Sequence, residues 1–306
     1  GAALASGRTL LVSAGTYFVD ADITVAADAR FEGRIVMPAA RRLSLTRNFN
    51  LPAYADAFGS EEEGFKKAFQ ALLNFSDHES LDLGGRRIAV TAPLNMQAIV
   101  GNKTIFATRR VIRNGQFDAI AGPAWTTATV TSQATYSAAA PKTLAGVVNV
   151  ANIAVGSLVQ GSGVGREVYV TAVNVAGASL TLSQPLFGAV GTQTYSFTRF
   201  RYVLDFSGFE QLDKLTIDSV EIQCNGVASG ILLAQEGRTF ALTDSFVTRP
   251  KDRGITSAGL GCQGMLIDGC QFLSDEQSLR AQDRVSIALN VNANDVKLRD
   301  NRVVRF

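Results

Sequence analysis

A repeat of about 24 residues near the C-terminus constrains the fold of this chain more than any other feature. Each copy has an apolar strand, an aspartate, a small or turn-forming residue and a second apolar pair. The copies are LTIDSVEI, ALTDSFV, MLIDGCQF and VKLRDNRVV, with aspartates at Asp218, Asp244, Asp268 and Asp300 separated by 26, 24 and 32 residues. Short polar side chains at such corners suit turn geometry, so turn formation is the ordinary interpretation of these aspartates.

A unit this short, with strands and no helix, cannot bury an apolar face by itself and must stack on its neighbours. Stacked units of parallel strands keep apolar residues inside and place insertions in loops, such as LSDEQSLRAQDR after Phe272. We therefore predict an all-β chain that folds as a right-handed parallel β-helix solenoid, the handedness following the preference of parallel crossovers.

Composition limits the possible functions. The 306 residues are 46% apolar, enough for a sizeable core, and the net charge of +2 gives no indication of nucleic acid or an anionic membrane surface as a partner. The apolar stretches are too short to span a bilayer, so no membrane insertion is expected. The chain does not begin with Met, and we expect it to be a fragment or a processed product.

Cysteine and histidine usage gives no sign of metal or thiol chemistry. Three cysteines, Cys224, Cys262 and Cys270, are an odd number in a long chain, so we expect reduced and buried thiols. The single histidine, His78, is too little for a Cys/His metal site or a His-assisted nucleophile. No cofactor and no metal are predicted.

The N-terminal part carries a resemblance. The opening GRTLLVSAGTYFVDADITV places a Gly-Thr-Tyr corner between short strands, and 64–96 follows with apolar residues at helical spacing before LDLGGRRIAV. Both segments resemble the first coil and capping helix of phage tailspikes and pectate-lyase-like glycan-degrading proteins. The resemblance implies a short N-terminal capping helix, predicted from Phe65 to Phe75, over the end of the solenoid.

Composition shifts along the chain divide it into four parts. These are an N-terminal β segment (1–60), the capping helix and first coils (61–124), a small inserted Ala/Val/Thr-rich β module (125–200), and further coils (201–306) that we expect to continue beyond the chain end. The inserted module is nearly free of charge: between Ala128 and Val190 only Lys142, Arg166 and Glu167 are charged. Hairpins are expected near 161–165 and 176–177.

If the chain cleaves glycans, carboxylates must do the chemistry, because glycosidic cleavage needs an acid and a base or nucleophile. Loops after the aspartate corners could converge on one side of the stack. The predicted catalytic residues are Asp252, Asp275, Glu276 and Asp283, and the predicted substrate-binding residues are Arg249, Arg253 and Arg280, whose guanidinium groups suit acidic sugars. Exposed loops carry charges in any case, so a purely solvated surface is the alternative.

Three functions follow from the resemblance. The first is a tailspike-like receptor-binding protein that recognises, and in the enzymatic version cleaves, a bacterial surface polysaccharide. The second is a non-catalytic structural or adhesion β-helix of a phage or phage-derived particle, and the third is a free bacterial polysaccharide lyase or hydrolase. The implied partners are the polysaccharide, phage or phage-like tail components and two further copies in a homotrimer, and the implied location is the virion tail or the extracellular space.

Overall fold

The computed structural model describes residues 8–74, 77–165, 167–276, 278–292 and 295–306. Within these ranges the chain is mostly β-structure with a few helices. The strands are β1 (Leu10–Val12), β2 (Thr16–Phe18), β3 (Ile23–Val25), β4 (Ala29–Phe31), β5 (Arg34–Val36), β6 (Leu43–Leu45), β7 (Ser80–Asp82), β8 (Arg87–Val90), β9 (Leu94–Asn95), β10 (Ile105–Phe106), β11 (Arg110–Ala119), β12 (Ala128–Tyr136), β13 (Thr143–Ala145), β14 (Leu158–Gln160), β15 (Val168–Asn174), β16 (Ser179–Leu182), β17 (Gly191–Arg199), β18 (Tyr202–Asp205), β19 (Gln211–Leu212), β20 (Leu215–Gln223), β21 (Ser229–Leu232), β22 (Glu236–Arg238), β23 (Ala241–Thr243), β24 (Phe246–Thr248), β25 (Arg253–Thr256), β26 (Gly261–Gln263), β27 (Leu266–Asp268), β28 (Gln271–Leu273), β29 (Ile287–Asn290), β30 (Lys297–Arg299) and β31 (Arg302–Val304).

The N-terminal segment folds into three two-stranded parallel sheets, β1 with β4, β2 with β5, and β3 with β6. The Gly-Thr-Tyr corner joins β1 to β2, and Gly15 there has a φ of +145°, which favours glycine.

Two helices, α1 (Leu51–Phe58) and α2 (Glu61–Asn74), follow this segment. The Asn50 side chain caps α1 by accepting a hydrogen bond from the Ala53 amide at 2.9 Å. The helices pack closely at Gly64, where a Cβ would lie 2.7 Å from the Ala55 nitrogen. A short third helix, α3, spans Met96–Val100. The helix predicted from Phe65 begins earlier, at Glu61, and its predicted end at Phe75 lies outside the described residues.

The repeats of the C-terminal part pair in parallel and contribute to three sheets. One sheet has ten strands, β7, β8, β11, β20, β23, β24, β27, β28, β30 and β31; the second runs β9-β18-β21-β25-β29 and the third β10-β19-β22-β26. Ile217 is in register with Leu242, and Leu242 with Ile267. All three side chains are fully buried, so equivalent positions of successive repeats build one apolar core.

Left-handed corners recur at equivalent positions of these repeats. Asp244 and Asp300 have φ values of +46° and +51°, and at the same corner Asp218 and Asp268 precede Ser219 and Gly269, which have positive φ themselves. A second corner places Lys214, Thr239 and Gly264 in the same region. The repeated aspartates therefore mark turns, as the short polar side chains predict.

Thr239→Gly is expected to raise the free energy of unfolding by about 0.5–1 kcal/mol. Thr239 is β-branched and has a φ of +56°. Removing its Cβ relieves about 1–2 kcal/mol of strain at this left-handed corner, against about 0.5–1 kcal/mol of added entropy in the unfolded chain. Gly264 already occupies the equivalent corner one repeat later. Equilibrium urea unfolding measures the change. The control Thr248→Gly removes the side chain of the last residue of β24 and should lower the stability. A loss of stability in both variants would contradict the argument.

A closed antiparallel barrel interrupts the repeats, with strand order β12-β13-β16-β15-β14-β17. Its longest pair runs from Ala128 opposite Arg199 to Tyr136 opposite Gly191, and β15 forms hairpins with β14 and β16. The barrel encloses its own cluster of buried side chains, among them Leu144, Val170, Leu180 and Phe197.

The predicted all-β right-handed parallel β-helix solenoid with a capping helix and a small inserted β module is wrong. The described strands divide among seven sheets, most of them short and parallel, and one of the seven is a closed six-stranded antiparallel barrel. The 24-residue repeat determines strand pairing only in the last hundred or so residues. The segment before the helices pairs within itself, and the barrel strands alternate apolar and polar residues and close on one another.

Candidate functional site

Three of the four predicted catalytic carboxylates are engaged by side chains or amides of the loops that follow β24 and β28. Asp275 forms an exposed ion pair with Arg249 at 3.0 Å, and Asp283 forms one with Arg280 at 2.7 Å. Both arginines were predicted to bind substrate. Glu276 accepts hydrogen bonds from the Val285 amide at 3.0 Å and from Ser286.

Glu276 holds the loop in shape. Burial raises the pKa of Glu276, but its hydrogen bonds to Ser286 and Val285 outweigh this and keep the pKa below its usual range. The carboxylate therefore stays ionised and ties together the two ends of the 276–286 loop. Asp275 accepts from Arg249 of the preceding repeat, and Asp283 accepts from Arg280 of its own loop. These contacts give the three carboxylates a role in loop structure.

Asp252 and Arg253 are adjacent in sequence but differ in environment. Burial raises the pKa of Asp252, against the opposing charges of Lys251 and Arg253. Among the described residues, no hydrogen bond or ion pair joins Asp252 to Asp275, Glu276 or Asp283. Arg253 lies in β25, is 8% exposed and faces the barrel. The predicted site residues are thus split between a surface loop and the contact between barrel and sheet.

Glu167 is the centre of a polar cluster where the barrel meets the sheet that contains β25 and β29. Arg253 Nη2 donates to Glu167 Oε1 at 3.2 Å, and Tyr169 Oη donates to Glu167 Oε2 at 2.5 Å. Asn290 Nδ2 also donates to Glu167 Oε2 and reaches Tyr169 Oη at 3.2 Å. Three donors on two different structural units therefore fix this carboxylate in place.

Tyr169 can act only as a donor to this carboxylate. Burial, followed by the neighbouring Tyr202 and Glu167, raises the pKa of Tyr169 far above its usual range, so its hydroxyl stays protonated. Arg253 is held on its other side by the Phe200 ring, whose centroid lies 4.7 Å from the guanidinium carbon.

A second charged contact and an apolar layer also join the barrel to the parallel sheet, in addition to the contact between Glu167 and Arg253. Arg199, at the end of β17, donates to Asp205 and, at 3.3 Å, to Ser207 Oγ. Around these contacts lies a cluster of buried side chains from both units, namely Leu158, Tyr169, Phe200, Tyr202, Leu232 and Ala258. The barrel is therefore fastened to the parallel sheet by buried polar contacts set in an apolar layer.

An open groove of about 590 Å³ lies over this cluster. It is lined by Gly165, Glu167, Gln184, Ile287, Leu289, Asn290, Val291 and Asn292. A second depression of about 380 Å³ is lined by barrel residues only and shares Gly165 and Glu167 with the first. The groove combines amides, which donate and accept, with a fixed carboxylate and aliphatic side chains.

Two other depressions have a different character. An apolar one of about 340 Å³ lies within the N-terminal sheets and is lined by Leu10, Val25 and Phe31 among others. A polar one of about 230 Å³ lies on the four-stranded sheet beside Glu236 and Arg238. The groove at the barrel is larger than either and brings together residues from the two structural units, so we take it as the candidate site.

The sequence predicted one residue of this cluster, Arg253, and missed Glu167, Tyr169 and Asn290. A usable signal was present for Glu167, because it is a single carboxylate in a segment that is almost free of charge. A charge retained in such a segment indicates a specific partner. Tyr169 and Asn290 carried no such signal.

The remaining observations concern metals, membranes and related proteins. Within the described ranges, no group of three or more His, Cys, Asp or Glu side chains is arranged to hold a metal ion. No helix in the part of the chain that the structure describes is long and apolar enough to cross a membrane. In comparisons with known proteins, no family model matches the sequence and no curated protein matches it either.

Proposed function

We propose that this chain is a receptor-binding protein that recognises a bacterial surface polysaccharide in the groove between the barrel and the parallel sheet. The observation that carries the proposal is the lining of the groove: two asparagines, a glutamine and a fixed carboxylate alternate with aliphatic side chains. Sugar rings present hydroxyl groups at their edges and carbon-bound hydrogens on their faces. Amides and carboxylates suit the first, and aliphatic side chains suit the second.

The shape of the groove supports a polymer as the ligand. It is open to solvent, and it shares the lining residues Gly165 and Glu167 with the second depression. A chain of sugars can cross such a surface and contact several residues in succession. The resemblance of the N-terminal segment to phage tailspikes supports a polysaccharide of a bacterial surface and a place on a phage or phage-derived tail, and the homotrimer stays a prediction of that resemblance.

Cleavage is the second candidate function, and Asp252 favours it. A general acid for glycoside cleavage needs a pKa above the usual carboxyl range, and burial raises the pKa of Asp252 in that direction. Recognition comes first because the other three predicted carboxylates are engaged in ion pairs or hydrogen bonds with neighbouring loop residues.

Asn292→Ala is expected to weaken polysaccharide binding about tenfold. This corresponds to about 1.4 kcal/mol, the contribution of one lost hydrogen bond. Asn292 lines the groove, and its own contact with the Gly259 carbonyl is long, at 3.4 Å, so the variant should keep the wild-type stability. An array of purified bacterial capsular and O-antigen polysaccharides identifies a ligand, and calorimetry gives the Kd of each protein.

The matched control is Asn102→Ala, which removes an exposed amide that is hydrogen-bonded to Asn74 away from the groove. This control should bind as the wild type does. New reducing ends in the same incubations would show cleavage in addition to recognition. Absence of binding across the array, or equal binding by wild type and Asn292→Ala, would contradict the proposed site.

A further inference from the structure

Phe187 is the most exposed large apolar side chain among the described residues, with 91% of its surface in contact with solvent. Its backbone is nevertheless well anchored. The Phe187 amide donates to the Val164 carbonyl at 3.3 Å, and the next amide, of Gly188, donates to the Gly163 carbonyl at 2.8 Å. The ring is therefore presented to solvent by a loop whose backbone is hydrogen-bonded at Phe187 and at Gly188.

Phe187 stands at the rim of the candidate groove. A Cβ added at Gly165 would lie 2.8 Å from the Phe187 Cβ, so the aromatic residue lies against the backbone of this glycine. Gly165 lines both the 590 Å³ groove and the 380 Å³ depression. Gln184, three residues before Phe187, also lines the larger groove, and its Nε2 donates to the Glu167 carbonyl at 2.9 Å. One short loop thus supplies an amide inside the groove and an aromatic ring at its edge.

We infer that Phe187 is the stacking platform for a sugar ring of the polysaccharide bound in the groove, an inference that rests on the proposed function. The groove supplies hydrogen-bonding groups from Gln184, Asn290 and Asn292 for the hydroxyl groups of a sugar. One flat face of many pyranose rings carries only carbon-bound hydrogens. An aromatic face matches that surface in shape and polarity, and the anchored backbone of Phe187 keeps this ring at the rim.

Exposed Val190 distinguishes stacking from simple apolar contact. It lies on the same loop between β16 and β17 and is 80% exposed, but it has no aromatic face. If this loop docked a protein or a lipid surface, Val190 and Phe187 would contribute together. If it stacks on a sugar, only the aromatic ring at position 187 matters.

The test compares variants at the two positions on the polysaccharide identified by the capsular and O-antigen array. Phe187→Ala and Phe187→Leu are expected to weaken binding about tenfold, Phe187→Trp to bind at least as tightly as the wild type, and Val190→Ala to bind as the wild type does. Thermal stability should be unchanged in all four because both side chains are exposed. Protons on one face of a bound sugar should shift upfield in NMR spectra of the wild type and not of Phe187→Ala.

The outcomes separate this inference from the proposed function. One outcome is that the wild type binds, Asn292→Ala weakens binding, and the Kd of Phe187→Ala is within twofold of the wild-type value. This outcome overturns stacking but leaves the groove as the proposed binding site. Leucine as effective as phenylalanine, or a loss with Val190→Ala equal to that with Phe187→Ala, also overturns stacking. If the wild type binds no polysaccharide of the array, the proposed function and the inference are both overturned.

Discussion

Replacing Arg199 by alanine is expected to lower the free energy of unfolding by about 3–5 kcal/mol. Arg199 and Asp205 are both nearly buried, with side chains 10% and 11% exposed, and they join the end of the barrel to the parallel sheet. Without the guanidinium, the Asp205 carboxylate keeps only its hydrogen bonds from the Ser207 amide at 3.0 Å and hydroxyl at 2.6 Å. A buried charge left in this state is costly, because the protein interior solvates it poorly.

Equilibrium urea unfolding checks this value, and Trp125 provides the signal. It is the only tryptophan, is 2% exposed and lies just before the first barrel strand. The control Arg280→Ala breaks an exposed ion pair and should cost less than about 1 kcal/mol. The double variant Arg199→Met/Asp205→Leu removes both charges and should recover most of the loss. Equal losses for Arg199→Ala and Arg280→Ala would contradict the assigned role.

The repeats and their corners could be predicted from the sequence because each depends on neighbouring residues in the chain. Apolar residues at Ile217, Leu242 and Ile267 recur at a nearly constant period, and each is followed directly by Asp or by a Thr-Asp pair at a corner. Period and turn chemistry together indicate which positions lie side by side. They predict parallel register among neighbours, and that register is present in the structure.

The overall architecture was not open to prediction in the same way. The closure of the barrel depends on the pairing of β12 with β17, in which Ala128 meets Arg199 across the whole intervening segment. Alternating strands and turn residues specify hairpins between neighbours, but many different sheets can be assembled from the same hairpins. The 24-residue repeat led the fold prediction towards a single solenoid, whereas the described strands divide among seven sheets that include a closed barrel.

The candidate site was predicted in only one residue for a related reason. Glu167 and Asn290 are 123 positions apart, and they meet only because the barrel lies against the sheet that ends in β29. The sequence pattern around Arg253 predicted a residue that binds acidic sugars, and in the structure its guanidinium group donates to Glu167 of the barrel. Clustered charges on long loops lead to a predicted site, whereas amides and a single carboxylate in an apolar segment do not.

Lys67→Met is expected to lower the free energy of unfolding by about 3 kcal/mol, because a buried ammonium group anchors the N-terminal sheets to α2. Lys67 is 2% exposed, and its Nζ donates to the Pro38, Ala39 and Arg41 carbonyls at 2.7, 3.2 and 2.7 Å. Burial lowers the pKa of Lys67, and the charged form is favoured by these carbonyls and by the nearby carboxylates of Glu63 and Asp22. Methionine fills the same space but donates nothing, and the loop between β5 and β6 loses its attachment.

The neighbouring variant Lys66→Met is the matched control for this experiment. Lys66 makes partly exposed ion pairs with Glu62 at 2.7 Å and Glu63 at 3.6 Å along one face of α2, and pairs of this kind contribute about 0.2–0.5 kcal/mol each. Urea unfolding compares the two variants, and hydrogen exchange should show faster exchange of the 38–46 amides in Lys67→Met alone. Equal destabilisation by the two substitutions would show that Lys67 acts through helix surface charge. A selective loss shows that the three carbonyls need this donor, and with it that the N-terminal sheets depend on α2 for their stability.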